Sequence, residues 1–197
     1  MGKLIFKYGT MSSGKTLHLL SMANNLKENG IKYQLLKPEI DTRSVNTIKS
    51  RIGIEDKCDV FKYNEDLYHI IDTKSKFILV DEAQFLSTNQ VNQLAYFVDY
   101  YDIDIICYGL RTDYLTNMFE GSKRLFEISD EIIELISYCK CGNKTSVNAR
   151  KNENGDLIID LNENQIEIGG NEKYVTLCRK CYIESVNKNT DYADEID

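Results

Sequence analysis

The stretch that most constrains this chain is Gly9-Thr10-Met11-Ser12-Ser13-Gly14-Lys15-Thr16. It satisfies G-x-x-x-x-G-K-[ST] at every fixed position and directly follows the apolar run Leu4-Ile5-Phe6. Two glycines let the backbone turn tightly enough for a row of amide N–H groups to point inward at a phosphate. Lys15 adds a positive charge near the β- and γ-phosphates, and the Thr16 hydroxyl is of the type that ligates Mg²⁺. Thr16 also opens an apolar periodicity (Leu17, Leu20, Ala23, Leu26), so a helix N-terminus is expected beneath the phosphates. A strand, a glycine loop and a helix in this order predict an α/β domain that binds a nucleoside triphosphate.

The next segments extend that pattern. Asn29-Gly30 stops the helix, and Ile31–Lys37 reads as a second strand closed by Pro38, the sole proline. Strand–helix–strand of this length is a βαβ unit with parallel strands and a right-handed crossover. Asp41 and Arg43 lie just past the second strand, where α/β sheets place ligands, and Arg43 is either a phosphate contact or a solvated side chain. Residues 45–56 show no periodicity and read either as a surface loop or as a functional connection. Short elements follow, a strand over Cys58–Tyr63 and a helix over Asp66–Asp72 whose His69 carries no catalytic assignment.

Phe77-Ile78-Leu79-Val80-Asp81-Glu82 is the second informative stretch: four apolar residues of a doubly buried strand, then two carboxylates. In a phosphate-loop protein the acid ending such a strand belongs to the Mg²⁺ shell, which assigns Asp81. Glu82, one residue on, faces another side of the chain and suits a general base for a hydroxyl or water. A helix over about Asn89–Tyr100 and a strand over Ile103–Tyr108 come next, then Gly109-Leu110-Arg111-Thr112-Asp113-Tyr114 at that strand's end. Phe119-Glu120-Gly121-Ser122 opens the connection to a strand at Leu125–Ile128, and another apolar strand, Glu131–Tyr138, completes a five- or six-stranded domain over residues 1–138.

From Cys139 onward Lys, Asn, Gly and Glu dominate and the long apolar runs cease. Cys139-Lys140-Cys141 and Cys178-Arg179-Lys180-Cys181 are separated by 36 residues. Two close thiolate pairs suit tetrahedral Zn²⁺, with free thiols or a redox pair as the alternative. With four protein ligands the zinc would be structural, stapling a small ribbon over residues 139–186. Within it, Gln165–Tyr174 brackets the pair Gly169-Gly170 and reads as a flap folding over the nucleotide domain, or simply as a turn. Residues 187–197 form a polar, acidic tail.

Composition bounds the remaining choices. A hydrophobic fraction of 42% over 197 residues supports a sizeable core. The net charge of −7 argues against a backbone grip on nucleic acid. No apolar run approaches the roughly 18 residues of a membrane span, and Met1-Gly2-Lys3 leaves no room for a signal peptide. A cytoplasmic location is expected, with Cys58 and Cys107 as buried thiols.

Taken together, these motifs resemble the thymidine kinases shared by bacteria and the animal cytosol. The resemblance rests on Gly9–Thr16, Asp41-Thr42-Arg43, Asp81-Glu82-Ala83-Gln84-Phe85, Tyr108–Asp113, Phe119-Glu120-Gly121, Ile168–Tyr174 and the four cysteines, and it runs from Lys3 to about Tyr182. It implies transfer of the γ-phosphoryl group of ATP to the 5′-hydroxyl of thymidine or deoxyuridine. On that pattern Glu82 is the catalytic base, while Gly9, Thr10, Met11, Ser12, Ser13, Gly14, Lys15, Thr16, Asp41, Arg43, Asp81 and Gln84 attend ATP and Mg²⁺. Met11, Phe85 and Phe119 would wall the base pocket. Gln165, Ile166, Glu167, Ile168 and Gly169 would offer backbone groups to the pyrimidine edge, and Tyr174 a further contact. The resemblance also implies a homotetramer and feedback inhibition by dTTP. The C-x-C half of the cysteine set is shorter than the C-x₂-C of some relatives, though other bacterial-type members share it.

The rival from another class is a zinc-ribbon ATPase acting on nucleic acid. It would carry an aromatic strip beside the ribbon's basic residues (Lys140, Lys144, Arg150, Lys151), and none is present.

Overall fold

The continuous apolar runs of the predicted strands require cover on both faces, and the chain provides it. A computed structural model describes residues 1–41, 46–152, 155, 157–158 and 173–189. In chain order the elements are β1 (Leu4–Tyr8), α1 (Lys15–Glu28), β2 (Tyr33–Pro38), β3 (Thr47–Lys49), β4 (Glu55–Lys57), β5 (Asp59–Phe61), β6 (Phe77–Val80), α2 (Thr88–Tyr101), β7 (Asp104–Gly109), α3 (Glu120–Ile128), β8 (Glu131–Glu134), β9 (Val147–Lys151), β10 (Leu157–Ile158), β11 (Tyr174–Leu177) and α4 (Arg179–Asn189). Six strands form one parallel sheet in the order β5-β2-β6-β7-β1-β8. The α/β class and parallel sheet expected from the sequence are therefore present.

Period-two side-chain geometry divides the core in two. Ile78, Val80, Ile105 and Cys107 pack on one face with Leu94, Phe97 and Val98 of α2 and Leu125 of α3. Their neighbours Leu79, Ile106 and Tyr108 face the other way, against Leu19, Leu20, Ala23 and Leu26 of α1. Leu17, counted in the predicted helix face, instead lies at the surface of the nucleotide cleft, because position 19 rather than 17 completes the buried stripe. Burial pushes the Cys58 thiol up to about 11, as expected for an inert core cysteine.

Four segments depart from the sequence reading. Residues 47–57 are not a featureless loop: β3 and β4 pair antiparallel, with Ile48 buried beside α1 as the one apolar anchor in a polar stretch. The expected helix over Asp66–Asp72 shrinks to a single 3₁₀ turn, Leu67–His69, capped by the Asp66 carboxylate. Residues 120–128 form α3, with buried Gly121, Ser122 and Leu125 on one side. Finally, the last strand of the sheet stops at Glu134, and α4 carries the chain beyond position 186, through Asn189. A separate three-stranded sheet, β10-β9-β11, is antiparallel throughout and sits with α4 after the cysteine knuckle.

Candidate active site

Parallel topology gathers the loops after β1, β2, β6 and β7 at one edge of the sheet, the usual ligand edge of such folds. A cleft of about 420 Å³ opens there, well within the range that accommodates small ligands. Its walls include Met11, Lys15, Thr16, Asp41, Glu82, Gln84, Phe85, Phe119 and Tyr174. The sequence assigned all nine to binding or catalysis, and the fold brings them to one cavity. Arg43 and Gln165–Gly169, the remaining flap and phosphate assignments, lie outside the described residues.

The phosphate loop is shaped by its sequence. Gly14 sits at φ 79°, a left-handed conformation that a side chain would oppose, and it hands the chain to α1. Lys15 folds back so that Nζ donates to the carbonyl of Thr10 at 2.7 Å, which holds the ammonium over its own loop. Arg51, at the tip of the β3–β4 hairpin, donates to Ser12 Oγ at 2.7 Å and also lines the cleft. Nothing in the local sequence marked Arg51, since only the folded hairpin carries it to the loop.

Behind the loop, Thr16 Oγ1 donates to Asp81 Oδ2 at 3.1 Å, and the Asp81 side chain is buried at the end of β6. A hydroxyl and a carboxylate facing one another beside a phosphate loop make the hard oxygen donor set that Mg²⁺ takes. Asp41, expected with the nucleotide ligands, is half-buried and lies 3.7 Å from the buried ammonium of Lys37. Glu82 adopts φ 50°, ψ 39°, an uncommon left-handed backbone for a residue with a Cβ. Neither Asp81 nor Glu82 caps α2, because Ser87 and Gln90 form a capping box there. Gln84, two residues on, is buried and donates from Nε2 to Glu82 Oε2 at 2.6 Å, while its Oε1 accepts the Leu110 N–H at 3.0 Å.

The apolar wall comes from two chain segments. Phe85 and Phe119 meet edge to face, with ring centroids 5.8 Å apart. Tyr114 also lines the cleft, with the guanidinium of Arg150 over its ring at 5.7 Å.

The ribbon sheet is tied to the phosphate loop. Thr10, Ser137 and Thr145 form a triangle of hydroxyl contacts at 2.6–2.8 Å. Asn148 on β9 accepts the Met11 N–H at 2.7 Å and donates to the Thr112 carbonyl at 3.3 Å. Beyond them, the Sγ atoms of Cys139, Cys141, Cys178 and Cys181 all lie within 4.8 Å of one another. Tetrahedral Zn–S bonds of about 2.3 Å require sulfur separations near 3.8 Å, and the Cys141–Cys178 pair stands at 3.5 Å, far longer than a disulfide. The N–H groups of Cys181 and Asn143 Nδ2 point at two of the sulfurs, the donors that thiolate ligands attract. The backbone N–H of Asn143 and then the Cys178 thiol bring Cys141 down to about 6. The donor set fits a closed tetrahedral metal site.

Comparison with known proteins agrees with this geometry. The family model for thymidine kinase matches residues 2–182. A thymidine kinase of Vibrio cholerae serotype O1 is 42% identical over 194 residues, covering 95% of this chain and 100% of the relative. Those of Zymomonas mobilis and Enterobacteria phage T4 are 44% and 43% identical, each across 95% of this chain and 99% of the relative. With the family model spanning nearly all of the folded chain and relatives matching end to end, the chain belongs to the thymidine kinase family.

Proposed function

We propose that the chain is an ATP:thymidine 5′-phosphotransferase, forming dTMP for pyrimidine salvage in the cytoplasm. The observation that carries the reading is one cleft walled by Lys15 and Thr16, by Glu82, and by Phe85 and Phe119, with the buried Asp81 hydrogen-bonded behind Thr16. The first suits a triphosphate, the last a planar base, and a carboxylate in the same cleft suits a hydroxyl that must lose its proton.

The phosphate-loop amides and Lys15 bind and orient the triphosphate. Thr16 and Asp81 would hold Mg²⁺, which neutralises charge on the β- and γ-phosphates when bound. Glu82 accepts the proton of the 5′-hydroxyl as its oxygen bonds to the γ-phosphorus and the bond to the ADP oxygen breaks. The product is dTMP, with ADP released and the proton left on Glu82. Phe85, Phe119 and Met11 would enclose the base; the backbone contacts that the resemblance implies for residues 165–169 lie outside the described residues. Cys139, Cys141, Cys178 and Cys181 would hold Zn²⁺, which would staple the ribbon when bound. Family membership supports two further proposals, a homotetramer and inhibition by dTTP.

The test is phosphoryl transfer from [γ-³²P]ATP with Mg²⁺, offering thymidine, deoxyuridine, deoxycytidine, uridine and single-stranded DNA in parallel. Labelled dTMP, with little product from deoxycytidine or uridine, is the expected outcome. ATP hydrolysis stimulated by DNA without a labelled nucleotide would replace the kinase with a ribbon-bearing ATPase.

A further inference from the structure

We propose that Gln84 is a positioning residue for Glu82: its side-chain amide, anchored on the Leu110 N–H just past the end of β7, holds the base of the transfer in one orientation. The inference rests on the phosphotransfer reading above. It differs from the role that resemblance implies for Gln84, that of a nucleotide contact.

The geometry carries the assignment. Gln84 is 2% exposed, and its amide spans the end of β6 and the end of β7. Nε2 donates to Glu82 Oε2 at 2.6 Å, and Oε1 accepts the Leu110 N–H at 3.0 Å. A carboxylate can only accept and a peptide N–H can only donate. The bridging side chain therefore needs one donor and one acceptor at fixed separation, which a carboxamide supplies and a carboxylate or an alkyl chain does not. The site is also cleared to receive it. A Cβ on Gly109 would stand 2.9 Å from Gln84 Oε1 and 3.0 Å from the Gln84 backbone nitrogen, too close for both to keep their places. Glycine at 109 thus lets the amide lie directly on the strand.

The need for such a brace follows from Glu82 itself. Its backbone is in the left-handed region, and its carboxylate hangs on three rotatable bonds at the rim of an open cleft. Fixing the carboxylate through an amide that is in turn fixed to the sheet refers the base to the most rigid part of the fold. Misplacing a reacting group by about 1 Å costs on the order of 10²-fold in rate, so orientation alone is a sufficient reason for the pair.

A double-mutant cycle tests this. Steady-state kinetics would be measured for the wild type, Gln84→Met, Gln84→Glu, Glu82→Gln and Glu82→Gln/Gln84→Met. Calorimetric binding of a non-hydrolysable ATP analogue and thermal melting of each variant accompany the rates. Gln84→Met is expected to lower kcat roughly 10- to 100-fold, with KM for both substrates nearly unchanged. Gln84→Glu, of the same shape but without the donor, should lose at least as much. In the Glu82→Gln background the Gln84 change should cost less than about two-fold, because residues that act as a unit are not additive. Analogue affinity should stay at the wild-type value.

Additive losses in the double mutant overturn the inference, as does undiminished kcat in both Gln84 variants. Weakened analogue binding with kcat intact would make Gln84 a nucleotide contact instead. If Gln84→Met fails to melt cooperatively, the isosteric Gln84→Glu takes its place in the cycle. A wild type that forms no labelled dTMP sinks the kinase reading and this inference together. An active wild type with additive variants sinks only the positioning role.

Discussion

Asn148 Oδ1 accepts the backbone N–H of Met11 at 2.7 Å, so a side chain of the ribbon sheet fixes the conformation of the phosphate loop. The same amide donates to the Thr112 carbonyl, and Asn148 is 3% exposed. Nucleotide loop, strand-end loop and ribbon thus meet on one residue. Asn148→Ala removes the partner of the part-buried Met11 N–H and is expected to cost about 1 kcal/mol of stability. Because the orphaned donor lies in the phosphate loop, ATP affinity should fall in the same variant. Urea denaturation and nucleotide titration check the two effects; a loss of stability with unchanged ATP affinity would confine Asn148 to a packing role.

Removal of the metal should be felt at the nucleotide. The four sulfurs and the Thr10–Ser137–Thr145 triangle lie along one path from the ribbon to the loop. Chelation of Zn²⁺, or Cys178→Ser, is expected to lower the melting temperature and weaken ATP binding as well as activity. Metal analysis accompanies the measurement. One zinc per chain surviving in Cys178→Ser would sink the four-cysteine site.

Glu82→Gln keeps the shape of the cleft and removes the proton acceptor. The expected result is a fall in kcat of roughly 10²–10⁴-fold, the range for loss of a general base, with ATP still bound. Single-turnover transfer measures it. A kcat within a few-fold of wild type would move the base elsewhere.

Acid should weaken the fold through Glu120. Its carboxylate accepts the Thr88 N–H at the start of α2 at 2.7 Å and the Tyr63 hydroxyl at 2.8 Å. The Thr88 bond first, then the Tyr63 bond, holds this carboxyl below its ordinary 4.5. The unfolded chain therefore takes up the proton more readily than the native one. The stabilisation is complete above the unfolded value and is lost as pH falls through the lower, folded one. Wild type should melt higher than Glu120→Gln at pH 7, with the gap closing as pH falls below the ordinary 4.5. A gap independent of pH would remove Glu120 from the acid response.

The motifs legible in the sequence are those whose chemistry is local. A glycine loop before a helix has to present its amides whatever surrounds it, and an apolar strand ending in two acids has to place them at a sheet edge. Gly9–Thr16, Asp81, Glu82 and the two cysteine pairs are of this kind. Continuous apolar runs likewise marked β1, β2, β6 and β7, and helical apolar periods marked α1 and α2. The β3–β4 hairpin and α4 escaped because their sequences are mostly polar. The hairpin is held by one buried isoleucine and by cross-strand bonds that no single strand advertises.

The sequence by itself determined which residues could handle phosphate, a proton and a metal. Only the tertiary structure decided how those residues are held. Asn148 stands 137 positions from Met11, Arg51 stands 39 from Ser12, and Leu110 stands 26 from Gln84. Each of these contacts joins a group of ordinary composition to a motif far away along the chain. Hydrogen-bond partners so distant are chosen by strand order and by the close approach of backbones, and neither leaves a local trace in composition or period.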